Sequence, residues 1–267
     1  MLPGPCFVLS DAHLGAAPAD VERTLVALLE RARVEAKSVV LNGDVFDFWF
    51  EWRHVMPRVG FRVIAALAAL RDAGVAVVWI AGNHDCWGGD ILRNDVGLTY
   101  HVGPWRGEIA GWHTLIEHGD GLREKEDAPY RGLRAVLRNP LAIRAFRWLH
   151  PDWATWIANR SSHTSRHKRP RDGGAGLQQV ALARLAADPS LDLYVFGHSH
   201  APSMGRAEPG GGVYANPGAF LDAPTFLRVI AERVELVRVD GATLQVLETV
   251  DRRAPRSSAR GGRLLDP

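Results

Sequence analysis

The chain has 267 residues, 46% hydrophobic and 23% charged, with 32 Lys+Arg against 30 Asp+Glu. An ordinary apolar share excludes wholesale disorder, and a net charge of +2 argues against a nucleic-acid partner. Two cysteines exclude a disulfide framework and a Cys-rich zinc module, and they fit a reducing, cytoplasmic setting.

From the N-terminus, Met-Leu-Pro-Gly-Pro lacks the positive segment of a signal peptide. No apolar run reaches the roughly 18 residues of a membrane span. Cys6–Leu9 predicts a buried strand. Val21, Leu25, Leu28 and Leu29 recur at helical spacing, which predicts a helix over 20–34 with Asp20 as its cap. A strand over 38–41, a helix over 61–72 stopped by Gly74, and a strand over 75–81 follow. This alternation predicts an α/β fold with helices covering the sheet. Short strands lead to His118, helices 121–171 follow, then a helix over 173–187 and a strand over 191–196. The length suits one domain over 1–250 carrying a helical insertion at about 122–172, and the Arg-, Ser- and Gly-rich residues 251–267 read as a disordered tail. The basic charge is concentrated in the insertion, where twelve Lys/Arg face four Asp/Glu over 121–171. Such a segment suits an anionic partner.

Polar clusters sit where the predicted strands end: Asp11 and His13, Asp44, Asn83-His84-Asp85, His118, and His198 with His200. Ligands of open α/β sheets gather beyond the carboxyl ends of strands. Carboxylate, imidazole and amide oxygen are ligands for divalent metals. Seven of these side chains (Asp11, His13, Asp44, Asn83, His118, His198 and His200) exceed what one ion with open positions needs. They suggest two ions sharing a bridging carboxylate, an arrangement that clamps the attacking and leaving oxygens of a phosphoryl displacement. Hydrolysis of a phosphoester or pyrophosphate is the expected chemistry.

Ser10-Asp11-Ala12-His13, Gly43-Asp44, Gly82-Asn83-His84-Asp85, His118-Gly119-Asp120 and Gly197-His198-Ser199-His200, in this order, resemble the five blocks of the calcineurin-like metallophosphoesterase superfamily. The resemblance implies a two-sheet sandwich flanked by helices, with a dinuclear centre. It places Asp11, His13, Asp44 and His200 on one ion, and Asp44, Asn83, His118 and His198 on the other. It sets His84 beside the phosphoryl group and has Asp85 orient it. Asn216-Pro217-Gly218 is similar to a structural turn of the family.

Gly43-Asp44-Val45-Phe46-Asp47-Phe48-Trp49-Phe50, residues 123–130, Leu137-Arg138-Asn139-Pro140 and Leu149-His150-Pro151-Asp152-Trp153 resemble the UDP-2,3-diacylglucosamine hydrolase branch and its helical lid. This likeness implies a pyrophosphatase of lipid A synthesis that releases UMP from a nucleotide-linked lipid, with Mn²⁺ as the expected metal. Asn83, His84, Asp127, Tyr130, Arg160 and Ser162 (or Ser161) would meet substrate. The best-known members of the branch carry Arg where this chain has His84. The alternative is a phosphodiesterase or phosphatase for a soluble substrate. Independently, Arg134, Arg138, Arg144 and Arg147 lie near Phe146, Trp148, Trp153 and Trp156 along the insertion. Cations beside aromatics suit a peripheral contact with the anionic inner face of the cytoplasmic membrane. Trp49, Phe50 and Trp52 either wall the site or fill the core. The oligomeric state has no signature in the sequence.

Overall fold

A computed structural model of the chain describes residues 1–124, 126–166 and 172–252. Strands β1 (Cys6–Leu9), β2 (Ser38–Asn42), β3 (Ala76–Ile80) and β4 (Thr99–His101) run parallel. They join β10 (Thr225–Val229), β11 (Arg233–Asp240) and β12 (Thr243–Asp251) in a seven-stranded sheet ordered β12-β11-β10-β1-β2-β3-β4. A five-stranded sheet is ordered β5-β6-β7-β9-β8, from β5 (Trp105–Ile109), β6 (Trp112–Ile116), β7 (Leu193–Val195), β8 (Ser203–Arg206) and β9 (Val213–Asn216).

Strand periodicity of two divides the core into layers. Cys6, Val8, Val40, Val78 and Ile80 point toward the second sheet and pack on Ile109, Trp112, Ile116 and Val195. Their neighbours Phe7, Leu9, Val39, Leu41, Val77 and Trp79 point outward beneath helices α1 (Ala19–Glu35) and α2 (Phe61–Asp72). On the far side, α6 (Ala175–Ala187) covers Tyr194, Phe196 and Tyr214 with Leu177, Ala181 and Leu185. Burial on both faces explains why β1 to β3 read as continuous apolar runs.

The helix ends show where local sequence is informative. Gly74 terminates α2 at φ 81°, and its N–H donates to Arg71 O at 2.9 Å. Asp20 does not cap α1. The helix starts at Ala19 after Pro18, and Asp20 lies in its first turn, where its negative charge is favoured by the positive end of the helix dipole. The π-helical turn Ile91–Asp95 and β4 have no counterpart in the sequence reading. The turn is held from a distance by Glu51, whose carboxylate accepts from Ile91 N at 2.9 Å and Leu92 N at 3.3 Å. Strand β12 ends at Asp251, and residues 253–267 of the expected tail lie outside the described residues.

Between β6 and α6 lie α3 (Ala128–Leu137), α4 (Pro140–Phe146) and α5 (Pro151–Arg166). Pro140 and Pro151 each open a helix, where a missing N–H costs nothing. The Asn139 side chain caps α4 by accepting from Leu141 N at 2.8 Å. Two indoles tie this segment to the sandwich: Trp87 Nε1 donates to Leu137 O at 2.9 Å, and Trp52 Nε1 to Leu149 O at 3.3 Å. The first satisfies a carbonyl that the end of α3 leaves without an internal partner, and the second pins the turn between α4 and α5.

Candidate metal centre

Every predicted ligand follows the carboxyl end of a strand: Asp11 and His13 after β1, Asp44 after β2, Asn83 after β3, His118 after β6, and His198 and His200 after β7. Backbone hydrogen bonds stitch these loops together. Asp11 N donates to Gly43 O at 3.0 Å, His13 N to Asp44 O at 2.9 Å, and Gly197 N to His118 O at 2.8 Å. The two sheets are joined where His118 Nδ1 bonds Asn42 O at 2.8 Å. Asn216 braces the last loop, its amide donating to Gly197 O at 3.3 Å and Ser199 Oγ at 2.8 Å, while its Oδ1 accepts from Gly218 N.

The backbone is strained here. Asp11, His13, Asp44, His198 and His200 all have φ between 44° and 60°. Non-glycine residues rarely adopt this conformation, and such strain persists where surrounding structure enforces it for function. Space is equally tight. A Cβ on Gly82 would lie 2.1 Å from Asp44 Oδ1, and one on Gly43 would lie 2.4 Å from His118 Nδ1.

Three groups of ligand atoms close to within 4.8 Å: Asp11, His13 and His200; His13, Asp44 and His84; Asp44, His118 and His198. Asp44 links them. Its Oδ1 accepts the His84 N–H at 2.9 Å, which leaves Oδ2 at 3.9 Å from His13 Nε2 and 3.2 Å from His118 Nε2. His200 Nε2 is 3.5 Å from Asp11 Oδ1. Asp11 Oδ1 and Asn83 Oδ1 are buried acceptors with no hydrogen-bond partner among the described residues. Buried polar atoms are normally satisfied, so these suit a cation. The donor set of carboxylate, imidazole and amide oxygen fits divalent metals. The bond from His118 Nδ1 to a carbonyl is the support a ligating imidazole requires.

Electrostatics agree. Burial pushes the Asp44 carboxyl up, but His118, His84 and His13 outweigh it and hold it well below the ordinary carboxylate range. Burial disfavours the His118 imidazolium, yet Asp44 and then Asp11 and Asp120 raise its pKa well above the usual value. Burial and repulsion from His118 push His198 down to about 4. A cation entering this cluster would displace a proton, as coordination by neutral imidazole demands.

Two neighbouring carboxylates, Asp85 and Asp47, brace the ligand loops. The hydrogen bonds of the Asp85 carboxylate go to the loop around His84 and not to its ring. Its oxygens accept from Gly82 N at 2.8 Å, Val45 N at 2.8 Å and Trp79 Nε1 at 3.2 Å, so it ties the ligand loops together. Its carboxyl is pushed up to about 6 by burial and then by Asp44. The hydrogen bond at His84 Nδ1 is made with Asp47 O at 2.9 Å. Asp47 also places Oδ1 3.6 Å from His13 Nδ1. The sequence reading assigned Asp47 no role, although it follows Asp44 by three residues. Trp49 belongs to the main core, whereas Phe50 and Trp52 cluster with Phe48 and Ala154 beneath the inserted helices.

Asp127 and Tyr130 are both engaged within the protein. Asp127 accepts from Arg123 N, Nε and Nη2, and Arg123 Nη1 lies 3.9 Å from Asp172 across the base of the insertion. Tyr130 OH donates to Asp120 Oδ2 at 2.8 Å. Arg160 stands on α5 with its guanidinium 5.4 Å from the Trp156 ring centroid. The side chains of Ser161 and Ser162 lie outside the described residues. Phe48, Phe50, Trp87, Leu137, Ile143 and Phe146 help to line a cavity of ≈ 200 Å³ between the sandwich and α3 to α5. Two of its walls, Phe48 and Trp87, stand four residues after Asp44 and after Asn83 on the ligand loops.

Known proteins are similar to this chain in sequence and fold. The chain is 35% identical over 215 residues to a UDP-2,3-diacylglucosamine hydrolase of Porphyromonas gingivalis, covering 73% of this chain and 82% of the relative. It is 26% identical over 204 residues to one of Nitrosococcus oceani, covering 74% and 79%. Among solved structures, Vps29 of Entamoeba histolytica in complex with zinc aligns over 92% of this chain and 98% of its own, at 13% identity and a TM-score of 0.44. The profile of the calcineurin-like phosphoesterases matches residues 5–202, a span that carries all seven predicted ligands. By that match, and by loops that bring their carboxylates and imidazoles to a common point, the chain belongs to the calcineurin-like phosphoesterase family.

Proposed function

We propose that this chain is a UDP-2,3-diacylglucosamine diphosphatase that holds two divalent ions, Mn²⁺ by family expectation. It would cleave the pyrophosphate to UMP and 2,3-diacylglucosamine 1-phosphate. The observation that carries the substrate is the apolar cavity beside the ligand loops. A hydrolase of small polar phosphoesters has no use for an aromatic-walled chamber, whereas an acyl chain does. The 35% identical relative bears the same activity in its name.

Asp11, His13, Asp44 and His200 would hold one ion, and Asp44, Asn83, His118 and His198 the other. Bound there, two divalent ions supply Lewis acidity and make water a competent nucleophile near neutral pH. The protein's part is orientation. The His84 imidazole, its Nδ1 bonded to Asp47 O, would face a phosphoryl oxygen, to stabilise its charge or to protonate the leaving oxygen. Asp85 keeps the loop that carries Asn83 and His84 against Val45. Phe50 and Phe146, 4.9 Å apart between ring centroids, exclude water from the lipid side.

The outer face of the insertion supports docking at an anionic membrane surface on the cytoplasmic side. Leu141, Trp148 and Trp153 are 76%, 86% and 66% exposed, with Arg144 and Arg147 nearby in sequence. Among the described residues no helix is long and apolar enough to cross a membrane. The test is a comparison of UDP-2,3-diacylglucosamine with UDP-N-acetylglucosamine on the Mn²⁺-loaded protein. The proposal expects UMP release from the acylated nucleotide at a kcat/KM at least about 100-fold higher. Equal turnover of both would reject it in favour of a soluble substrate.

A further inference from the structure

The buried polar atoms without hydrogen-bond partners are not confined to the metal ligands. Arg138 Nε is one of them. Arg138 ends α3, on the helix face that also carries Tyr130 and Arg134, at spacings of four residues. All three side chains converge on Asp120, two residues beyond His118. Tyr130 OH donates to Oδ2 at 2.8 Å, and Arg134 Nη1 donates to the backbone O at 3.0 Å. Arg138 comes last to this carboxylate. Its Nη2 reaches the already occupied Oδ2 only at 3.4 Å. Its side chain is 21% exposed. Its backbone is held near the other ligand loop, because Leu137 O accepts from Trp87 Nε1. A guanidinium thus stands between the loop of His118 and the loop of Asn83, with one long hydrogen bond and a buried donor that nothing among the described residues accepts. Leaving such a donor unmade is costly, and a charged donor more so. Tyr130 and Arg134 each bond Asp120 at 3.0 Å or less, whereas Arg138 makes only the long bond and has its Nε buried without an acceptor among the described residues.

We propose that Arg138 is a substrate-binding residue that takes a phosphate oxygen of the anion held at the metal centre, with Asp120 setting the direction of its guanidinium. This rests on the reading of the centre as a phosphoester hydrolase, not on the identity of the lipid. A phosphate group supplies the planar, bidentate match that Nε–H and Nη–H offer together. The residue reaches the site from the insertion, so α3 contributes a charge as well as a wall.

The test is calorimetric binding of inorganic phosphate to the full-length, metal-loaded protein, with metal content measured in parallel. Arg138→Met is expected to weaken phosphate binding about 10-fold or more while two ions remain bound. Arg138→Lys keeps the charge but loses the fork, and is expected to recover only part of the affinity. An unchanged Kd in Arg138→Met overturns the proposal and leaves Arg138 a strut for α3. A weaker Kd that tracks loss of metal also overturns it, because the effect then belongs to the ligand loops. If Arg138→Met does not fold, Arg138→Lys decides: a raised Kd supports the proposal and a wild-type Kd overturns it. No lipid nucleotide enters the measurement, so failure to turn over UDP-2,3-diacylglucosamine is a separate result.

Discussion

Asp11, Asp44, Asp85 and His118 are buried and each makes at least one hydrogen bond to backbone, whereas on the insertion Leu141, Trp148 and Trp153 leave most of their surface exposed. The ligand loops are locked by strained dihedrals, glycines with no room for a Cβ, and bonds across two sheets. The insertion is held by Trp52, Trp87, the Arg123 pair and the convergence on Asp120. Chemistry that demands positions within fractions of an ångström is placed on the rigid part. Under the proposed function, recognition of a flexible lipid falls to the part with fewer ties. The difference teaches that substitutions in the first region should act on turnover of any phosphoester, and those in the second on which phosphoester is turned over.

The largest expected effect is at Asp44, where the two halves of the cluster meet. Asp44→Asn should reduce hydrolysis by about 10³-fold or more, and metal analysis should find fewer than two ions per chain. Full metal content with full activity would break the contrast at its root. Gly82→Ala comes next. Its Cβ would meet Asp44 Oδ1 at 2.1 Å and Asp44 N at 2.7 Å. Such overpacking costs about 1–3 kcal/mol and should lower both the melting temperature and turnover of every substrate.

On the insertion side, Phe146→Ala opens the apolar cavity. The expected result is about a 10-fold rise in KM for the lipid nucleotide, with a small phosphodiester affected by less than about 3-fold. Equal losses on both would mean that the cavity serves the core, not the substrate. Trp148→Ala combined with Trp153→Ala should weaken binding to vesicles containing phosphatidylglycerol. Folding stability should stay within about 0.5 kcal/mol, because both rings are largely exposed.

The smallest effect concerns pH. Burial pushes the Asp127 carboxyl up, but Arg123 outweighs it and leaves it below the ordinary carboxylate value. A depressed folded-state pKa contributes stability that is present above the unfolded value, near 3.9 for Asp, and is lost as pH falls through the folded value. The melting-temperature difference between the native chain and Asp127→Asn should therefore be largest above about pH 4 and close below it. A difference that grows on acidification would contradict the pairing with Arg123.

Much of the sandwich was legible because both faces of β1 to β3 are covered, so their sequences are unbroken apolar runs that end abruptly in polar residues. Pro140 and Pro151 marked the helix starts of the insertion because proline acts locally. What escaped depends on contacts far apart in sequence. Asp47 and Asp120 look like ordinary charged residues until the fold sets one beside His13 and His84 and the other beneath Tyr130, Arg134 and Arg138. The partners of Asp85 escaped for the same reason, since its donors Val45 and Trp79 come from other segments. Glu51 and the π-helical turn it holds lie 40 residues apart.

Anomalous X-ray scattering from crystals grown with Mn²⁺ addresses the shared carboxylate most directly. The account predicts two peaks about 3.5–4 Å apart, both within coordination distance of Asp44, with Asp11 and His200 toward one and Asn83 and His118 toward the other. A single peak, or a second ion out of reach of Asp44, would contradict it.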